Sequence, residues 1–540
     1  MADKVAVENL QEYYKPLKKD GRLYIVLFLT IMPGLCFMSV KLHVIKLAAK
    51  DTLRCEIESL ENASWSPQDI KKISEPVAAN QKCYIYNYDY HKFASLTLKE
   101  TEQVIDEEFP NSEKMICPRF IITKNSKLMP QSYAEEFASY CESLRDDIFY
   151  EMGAVIPYIL SCLFVVPLAD IFGRKSVLKI GCQLMLFAVF MKIILLNYIR
   201  ETIGLAILHV AYPCLKYTTE SLVIETTSDK IRPFGFMVRY IGKYIPPLFV
   251  VVLPRPSSIY WKYMQLIKYS VVLVLPLMPW FFPESVAWFA SRKENKLAHF
   301  VGQTLESPAK HSEVLFRLQN RRRSFQGVKK LLREFLQINT PEIVFINVVA
   351  FTVGFSSLCV HTKHKLWYYN LDVAWVTFLN IFGGIVGFFL TLFFIYFMNV
   401  GKFVIAGLFL INGVLYSLLA KFQSDFESTI IITFFLDISS TILLILFEFY
   451  LHRIFPTSHR CLCTAWCGAC QIFGLLMFLC VKEVHLLGSQ ILASTMCMLG
   501  CILTILMVKN FPSTKPPFLN FVDAELELIQ KRRKICCLVI

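Results

Sequence analysis

Long apolar runs separated by polar stretches dominate this chain of 540 residues. A helix needs about 20 apolar residues to cross roughly 30 Å of hydrocarbon, and the runs have this length. They are continuous rather than alternating, so they predict helices and not the strands of a closed barrel. The pattern predicts twelve membrane spans, near 23–42, 148–169, 177–197, 203–224, 234–253, 266–283, 341–360, 373–397, 402–420, 428–451, 461–481 and 485–508.

The spans fall into two sets of six, which predicts an all-α membrane protein built from two six-helix halves. The first run follows a long leader without a small-residue cleavage site, so we interpret it as a span and not as a signal peptide. The predicted regions are a cytoplasmic N-terminus 1–22, an N-terminal half 23–283 with a large extracellular loop 46–147, a central cytoplasmic loop 284–338, a C-terminal half 339–510 and a cytoplasmic tail 511–540.

Composition and charge agree with this class. The chain is 55% hydrophobic and 18% charged, whereas soluble domains are about 45–50% apolar and about 25% charged. Residues 284–338 hold eleven Lys or Arg against five Asp or Glu, which places this loop inside by the positive-inside rule. The net charge of +13 is therefore a topology signal, and nucleic-acid binding is the less favoured interpretation. We expect a multi-pass protein of the plasma membrane with both termini in the cytoplasm.

The loop between the first two spans has features of an extracellular segment. It contains Cys55, Cys83, Cys117 and Cys141, an even number in an oxidising compartment, so two disulfides are expected with three pairings left open. The triplet Asn-Ala-Ser at 62–64 makes Asn62 an acceptor for N-glycosylation.

A charged junction, "VVPLADIFGRKSV" at 165–177, interrupts the apolar pattern between spans two and three. Gly173 allows a sharp reversal, and Asp170, Arg174 and Lys175 bring one acid and two cations to the same turn. One interpretation is a positive-inside hairpin with no further role. The other is a gate that stabilises one of two arrangements of the helices.

The junction resembles the Asp-x-x-Gly-Arg-Lys signature of the major facilitator superfamily. Three further motifs resemble those of solute carrier family 22, the organic cation, anion and carnitine transporters: Pro283, Glu284, Ser285 and Trp288; Glu225, Lys230 and Arg232; and Pro456, Thr457 and Arg460. The resemblance implies a transporter that exposes a central site alternately to each side. It also implies that the inward-closed state is controlled by Asp170, Gly173, Arg174 and Lys175, with Glu225, Arg232, Glu284 and Arg460 as neighbours.

Some positions depart from that family's pattern. Arg453 stands where the family has Glu, and Met398 replaces the acid of the second hairpin. Ile472 occupies the position in span eleven at which relatives carry a charged residue. This position therefore does not predict the sign of the substrate's charge. The leading hypothesis is a secondary transporter of small organic ions or zwitterions. The alternative is a non-transporting membrane receptor or scaffold that retains the transporter fold.

Ionisable residues within spans are costly and face the bundle or a water-filled cavity. They are Lys192, Lys216, Glu220, Arg239, Lys243, Asp437 and Glu448, four cations against three acids, which is too even to give the substrate's sign. Together with aromatic and amide side chains, the cavity candidates are Lys216, Glu220, Arg239, Tyr240, Lys243, Tyr244, Asp437, Trp466 and Gln471. Two local expectations accompany them. Lys216 and Glu220 in span four are spaced to satisfy each other, and Pro246–Pro247 would interrupt the helix of span five.

Other chemistry is absent from the sequence or has a simpler interpretation. No phosphate-binding Gly-x4-Gly-Lys loop and no His-Glu-x-x-His occur, so we expect no enzyme activity, no cofactor and no metal. The cysteines of "CLCTAWCGAC" at 461–470 are expected to be small packing residues. The last four residues, beginning at Cys537, match a prenylation box. The favoured interpretation is that this match arises by chance. The expected partners are a small organic ion, the lipid bilayer and a coupling ion or counter-substrate.

Overall fold

The computed structural model describes most of the predicted helices and part of the loop between the first two. The described residues are 21–41, 53–63, 65–74, 84–108, 114–116, 120–122, 153–194, 198–227, 231–252, 266, 269–282, 284–285, 288, 340–356, 373–397, 402–422, 425–455, 459–484 and 486–506. Cys83, Cys117, Cys141, Met398 and Cys537 lie outside these residues.

Helix α1 (Gly21–Lys41) is followed by a small mixed region. Its elements are β1 (Leu53–Cys55), α2 (Glu58–Asn62), α3 (Pro67–Ser74), β2 (Tyr84–Tyr86), α4 (Tyr90–Phe93), α5 (Leu98–Glu108), β3 (Lys114–Ile116) and β4 (Phe120–Ile122). β1 pairs antiparallel with β4, and β2 with β3. Cys55 is disulfide-bonded, and an apolar core that includes Leu60, Tyr90 and Phe93 holds the region together.

Two bundles of helices make up the rest of the described chain. The N-terminal bundle consists of α1 and α6 (Gly153–Phe172), α7 (Arg174–Ile194), α8 (Tyr198–Thr226), α9 (Arg232–Val252) and α10 (Val271–Phe281). The C-terminal bundle consists of α11 (Thr340–Ser356), α12 (Val373–Phe397), α13 (Lys402–Lys421), α14 (Phe426–Ile454), α15 (Arg460–Val484) and α16 (Leu486–Leu506).

Six of these helices are long and apolar enough to cross a membrane, judged by length and composition: α6, α7, α13, α14, α15 and α16. Large apolar side chains on their outer surfaces remain exposed, as at Phe164 (67%) and Phe403 (68%), which is expected of surfaces that contact lipid. The chain is therefore a multi-pass membrane protein. The full number of twelve spans and the extracellular position of the small region stay predictions.

Two large buried cores, each centred on one bundle, and a smaller cluster hold the described helices together. One core lies among α1, α6, α7, α8 and α10 and extends to Cys461, Ala465 and Ala469 of α15. Another fills the C-terminal bundle and extends to Ile171 of α6. A smaller cluster packs Phe236 and Tyr240 of α9 against Phe388 of α12 and Phe449 of α14. Helix packing between the bundles thus brings the polar faces of α8 and α9 next to α14 and α15.

The helix interruption expected at Pro246–Pro247 is wrong, because α9 runs without a break from Arg232 to Val252. Neighbouring helices in a membrane bundle tolerate proline when the freed backbone groups are satisfied locally. The irregular turn lies instead in α6, where Ser161–Val165 is π-helical and Val166 N–H donates to Ser161 C=O at 2.9 Å. Pro167 follows at once, and its missing N–H and bulky ring account for the wider turn.

Candidate functional site

The charged junction forms a buried ion network at one end of the bundles, which we call the hairpin network. It consists of Asp170, Arg174, Glu225, Glu284 and Arg460. Gly173 makes the turn between α6 and α7 with φ +100°, a conformation that side chains rarely adopt. Arg174, with none of its surface exposed, bonds Asp170 at 3.1 Å and Glu225 at 3.3 Å.

The hairpin network joins the two bundles. Arg460, the first residue of α15, donates to the same Glu225 oxygen at 2.6 Å. Asp170 accepts the backbone N–H groups of Cys461 at 3.4 Å and Leu462 at 2.7 Å. A carboxylate at a helix N-terminus satisfies orphan N–H groups and complements the helix dipole. The end of α6 in one bundle therefore caps α15 in the other.

Glu284 caps a second helix within the network. It accepts the N–H of Arg174 at 3.1 Å and that of Lys175 at 3.2 Å, at the start of α7. Burial raises the pKa of Glu284, while the positive charge of Arg174 and the N–H groups of Ser285 and Lys175 oppose that shift. Trp288 Nε1 donates to Asp170 C=O at 2.9 Å, so the motif after α10 holds the α6–α7 turn. Arg232 lies nearby and donates to Thr227 C=O at 3.3 Å.

A second charged group lies deeper between the bundles, and we call it the inner cluster. It contains Lys216, Glu220, Arg239, Tyr240, Glu448 and His452. Lys216 Nζ lies 2.8 Å from Glu448 Oε1, and Arg239 and Tyr240 both donate to Glu448 Oε2. Glu448 belongs to α14, whereas its three donors belong to α8 and α9, so the inner cluster also joins the bundles.

The local pairing of Lys216 with Glu220 is not what the structure shows. Lys216 turns to Glu448, while Glu220 pairs with Arg239 and lies 3.1 Å from His452 Nε2. An exposed pair four residues apart contributes only about 0.2–0.5 kcal/mol. Between buried helices, an unpaired charge destabilises the fold by far more than such a local pair stabilises it. Each charge therefore binds an opposite charge on the neighbouring helix.

A cleft opens beside the inner cluster. Its wall is formed by α1, α8 and α9, and its lining residues are Thr30, Pro33, Gly34, Tyr212, Lys216, Thr219, Arg239 and Lys243. Tyr212 stacks on Phe37 with ring centroids 3.9 Å apart. Lys243 Nζ lies over the Tyr240 ring, 4.8 Å from its centroid. Every charged residue in this lining is a cation.

The other predicted cavity residues lie elsewhere among the described helices. Tyr244 packs against Gly384 of α12, and Asp437 is buried on α14 next to Gly383. Trp466 packs on the core of the C-terminal bundle, and the Gln471 backbone touches Gly354. None of these four lines the cleft.

Two residues of the site were missed by sequence reasoning. His452 follows Glu448 by one helical turn, so the acid and the imidazole share a face of α14, a spacing that was available as a signal. Thr219 carries no sequence signal, because a threonine in an apolar helix is indistinguishable from a packing residue. Only its place in the cleft lining identifies it.

The sequence matches no protein-family model, and no curated protein matches it. Solved structures do match. The MFS proton:xylose symporter XylE bound to 6-bromo-6-deoxy-D-glucose superposes with a TM-score of 0.52 at 13% identity, over 93% of this chain and 98% of that one.

Two further structures of the same transporter give similar values. A double Trp mutant of XylE superposes with a TM-score of 0.54 at 15% identity, over 94% of this chain and 99% of that one. The inward open conformation of XylE from E. coli gives 0.50 at 13% identity, over 93% and 99%. Identities this low establish the fold alone. The chain has the major facilitator fold, which confirms that part of the sequence prediction.

Proposed function

We propose that this chain is a secondary transporter of small organic ions or zwitterions that works by alternating access. We further propose that it is a divergent member of solute carrier family 22, located in the plasma membrane with both termini in the cytoplasm. The observation that carries the proposal is a pair of buried ion layers, the hairpin network and the inner cluster, which join the two bundles beside a small cleft lined in part by cations.

Buried ion layers of this kind are typical of a protein that alternates between two arrangements of its helices. Burying charges is expensive, and their mutual attraction compensates only when every partner is in place. An arrangement of this kind is stable when assembled and unstable when half open, so it favours two discrete packings over a continuum. Glu220 and Glu225 lie five residues apart on α8, which separates the two layers by about 7.5 Å along the helix.

In this proposal the two layers hold the predicted cytoplasmic side closed. Asp170, Gly173, Arg174, Lys175 and Glu225 form the part contributed by the N-terminal bundle, together with Arg232 and Glu284, and Arg460 is the part contributed by the C-terminal bundle. For solute to leave towards the cytoplasm, Glu225 and Asp170 must release α15, and Glu448 must release Lys216 and Arg239. The substrate would enter the cleft while these contacts remain formed.

Uptake by proteoliposomes tests the proposal. Purified full-length protein is offered a panel of organic cations, organic anions and carnitine-like zwitterions, at two pH values and with and without a sodium gradient. We expect saturable uptake of at least one class and trans-stimulation by the same solute inside. Failure of every class to accumulate above protein-free liposomes would contradict a transport function.

A non-transporting receptor or scaffold is the second candidate. The sequence departures favour it, since Met398 and Arg453 replace acids of the family pattern on the C-terminal half. This candidate predicts saturable binding of a solute to the purified protein without uptake into proteoliposomes. The two measurements made on one preparation therefore separate the candidates.

A further inference from the structure

Two tyrosines of the N-terminal bundle lie against glycines of the C-terminal bundle. Tyr217 of α8 reaches Gly468 of α15, where an added Cβ atom would overlap the tyrosine hydroxyl and lie 2.6 Å from Cζ of the ring. Tyr244 of α9 reaches Gly384 of α12, where an added Cβ atom would also lie 2.6 Å from Cζ of the ring. We call these two pairs the glycine–tyrosine contacts. In each pair the ring occupies the space that a larger residue would fill with its own side chain.

The ring of Tyr217 is fixed by its own bundle. Tyr217 is 2% exposed, and its hydroxyl lies 3.3 Å from that of Tyr158 on α6. Lys216 Nζ lies over the same ring, 4.7 Å from its centroid. Close packing leaves a buried ring no free space into which it could turn. An added methyl group at Gly468 would therefore push α15 away from α8.

The ring of Tyr244 fits between two helices of the C-terminal bundle. Its hydroxyl lies 3.5 Å from the Thr441 hydroxyl of α14, while the ring lies on Gly384 of α12. These two helices are themselves in close contact, since an added Cβ atom on Gly387 would lie 2.9 Å from the Ile438 carbonyl oxygen. Tyr244 therefore occupies a notch that α12 and α14 form together.

Both contacts lie deeper in the spans than the hairpin network. Tyr217 precedes Glu225 by eight residues, and Gly468 follows the first residue of α15 by eight, so this pair lies about 12 Å from the network along either helix. Tyr244 follows Arg239 of the inner cluster by five residues on α9, a rise of about 7.5 Å. The glycine–tyrosine contacts thus extend the interface between the bundles from the ion layers towards the middle of the spans.

We propose that the two glycine–tyrosine contacts form a steric gate, which closes the path of the solute towards the predicted cytoplasmic side. This inference rests on the proposed function and adds an uncharged layer to its two ion layers. In an alternating-access cycle the solute passes between the bundles, where Tyr217 and Tyr244 close the gap. Gly384 and Gly468 are positioning residues, because each allows a ring to approach a helix backbone of the other bundle. Opening of this side withdraws both rings from their glycines.

Cysteine labelling tests the inference without any solute. Cys461 is fully buried, and its thiol donates to Ser221 of the other bundle, so a membrane-impermeant maleimide added at the predicted cytoplasmic side of the reconstituted full-length protein reports separation of the bundles. Overpacking at Gly384 disfavours the closed arrangement. Gly384→Ala should therefore raise the rate of Cys461 labelling about tenfold, the change that about 1.4 kcal/mol makes in an equilibrium. Gly384 lies on α12 and Cys461 on α15, so a local distortion of α15 does not explain such an effect.

Gly500→Ala is the matched control. Gly500 of α16 lies against an aromatic ring of its own bundle, since an added Cβ atom would lie 2.7 Å from Cε1 of Phe409 on α13. This variant should lower the midpoint of thermal unfolding, as Gly384→Ala should, but it should leave the labelling of Cys461 unchanged. A purely structural role of Gly384 would instead give both variants the same labelling rate.

A double-mutant cycle assigns the contact. Tyr244→Ala removes the ring that the new methyl group at position 384 would overlap. In that background Gly384→Ala should add little to the labelling rate, whereas two independent sites would multiply their effects. Gly468→Ala with Tyr217→Leu forms a second cycle, which keeps the inference testable where Gly384→Ala does not fold. Thermal unfolding of each variant verifies that it is folded.

The outcomes distinguish this inference from the transport function. Unchanged labelling in the folded glycine variants overturns the steric gate, and so does equal labelling of the Gly384→Ala and Gly500→Ala variants or independent effects within the cycles. Uptake of a solute by the wild-type protein together with any of these results supports transport and overturns the gate alone. The expected labelling pattern without uptake of any solute supports the closing contact and contradicts transport.

Discussion

At the scale of single residues, Glu448 makes more contacts between the two bundles than its position in the sequence predicted. One carboxylate accepts from Lys216, Arg239 and Tyr240 at once. Its side chain is 6% exposed, so water cannot replace these partners. Removing one member of a buried ion group leaves uncompensated charges, and this is more destabilising than losing the whole group.

We therefore expect Glu448→Gln to lower the free energy of unfolding by about 3–5 kcal/mol. Thermal unfolding of the detergent-purified protein, followed by intrinsic fluorescence, measures the change. Glu427→Gln is the control on the same helix α14, where Glu427 is exposed in the first turn, and it should stay within about 0.5 kcal/mol of wild type. Similar losses for the two variants would show that the inner cluster contributes no net stability.

At the scale of elements, glycines set how closely the helices approach. A Cβ atom on Gly354 would overlap the Gln471 backbone of α15, and one on Gly474 would overlap the Phe351 backbone of α11. Small residues at such positions allow backbone contact between helices in a membrane, where van der Waals packing drives association. The α11–α15 pair therefore positions α15, whose first residue Arg460 reaches the hairpin network.

Replacing Gly354 with Ala should push α11 away from α15 and lower the free energy of unfolding by about 1–3 kcal/mol. Because α15 moves with it, the contact of Arg460 with Glu225 should also weaken. Gly407→Ala serves as the comparison, since an added Cβ on α13 would meet nothing within 4 Å. Thermal unfolding of both variants decides the matter, and an unchanged midpoint for Gly354→Ala would contradict a backbone contact.

At the scale of the whole molecule, the two ion layers join the bundles, and the proposed transport cycle requires both layers to separate. Cys461 reports on this seam, because it is fully buried and its N–H donates to Asp170 at 3.4 Å. Its thiol donates to Ser221 of α8 at 3.3 Å. Separation of the bundles at this end would expose the thiol, whereas the equally buried Cys497 lies in the core of the C-terminal bundle and would stay protected.

Asp170→Asn should therefore raise the rate of Cys461 modification by a membrane-impermeant maleimide added at the predicted cytoplasmic side. Weakening a charged hydrogen bond by about 1.5 kcal/mol shifts the equilibrium roughly tenfold. Mass spectrometry identifies the modified site, with Cys461→Ser to assign the signal and Cys497 as the internal control. In a transport assay the variant should lose turnover much more than substrate affinity. Equal loss of both, or unchanged labelling, would count against a gating role.

The sequence by itself determined the membrane class and the helical character of the long apolar runs, and it predicted the turn that holds Asp170, Gly173 and Arg174. Span length follows from hydrocarbon thickness, and Asp170, Gly173 and Arg174 are close together in the chain, so local spacing was sufficient. The resemblance implied that Glu225, Glu284 and Arg460 are neighbours of this turn, and the tertiary structure decided which groups they contact. Only the tertiary structure showed that Lys216 binds Glu448 and not Glu220, and that Thr219 and Lys243 share a cleft. These contacts join helices far apart in the chain, and which charges neutralise each other depends on the faces that packing brings together.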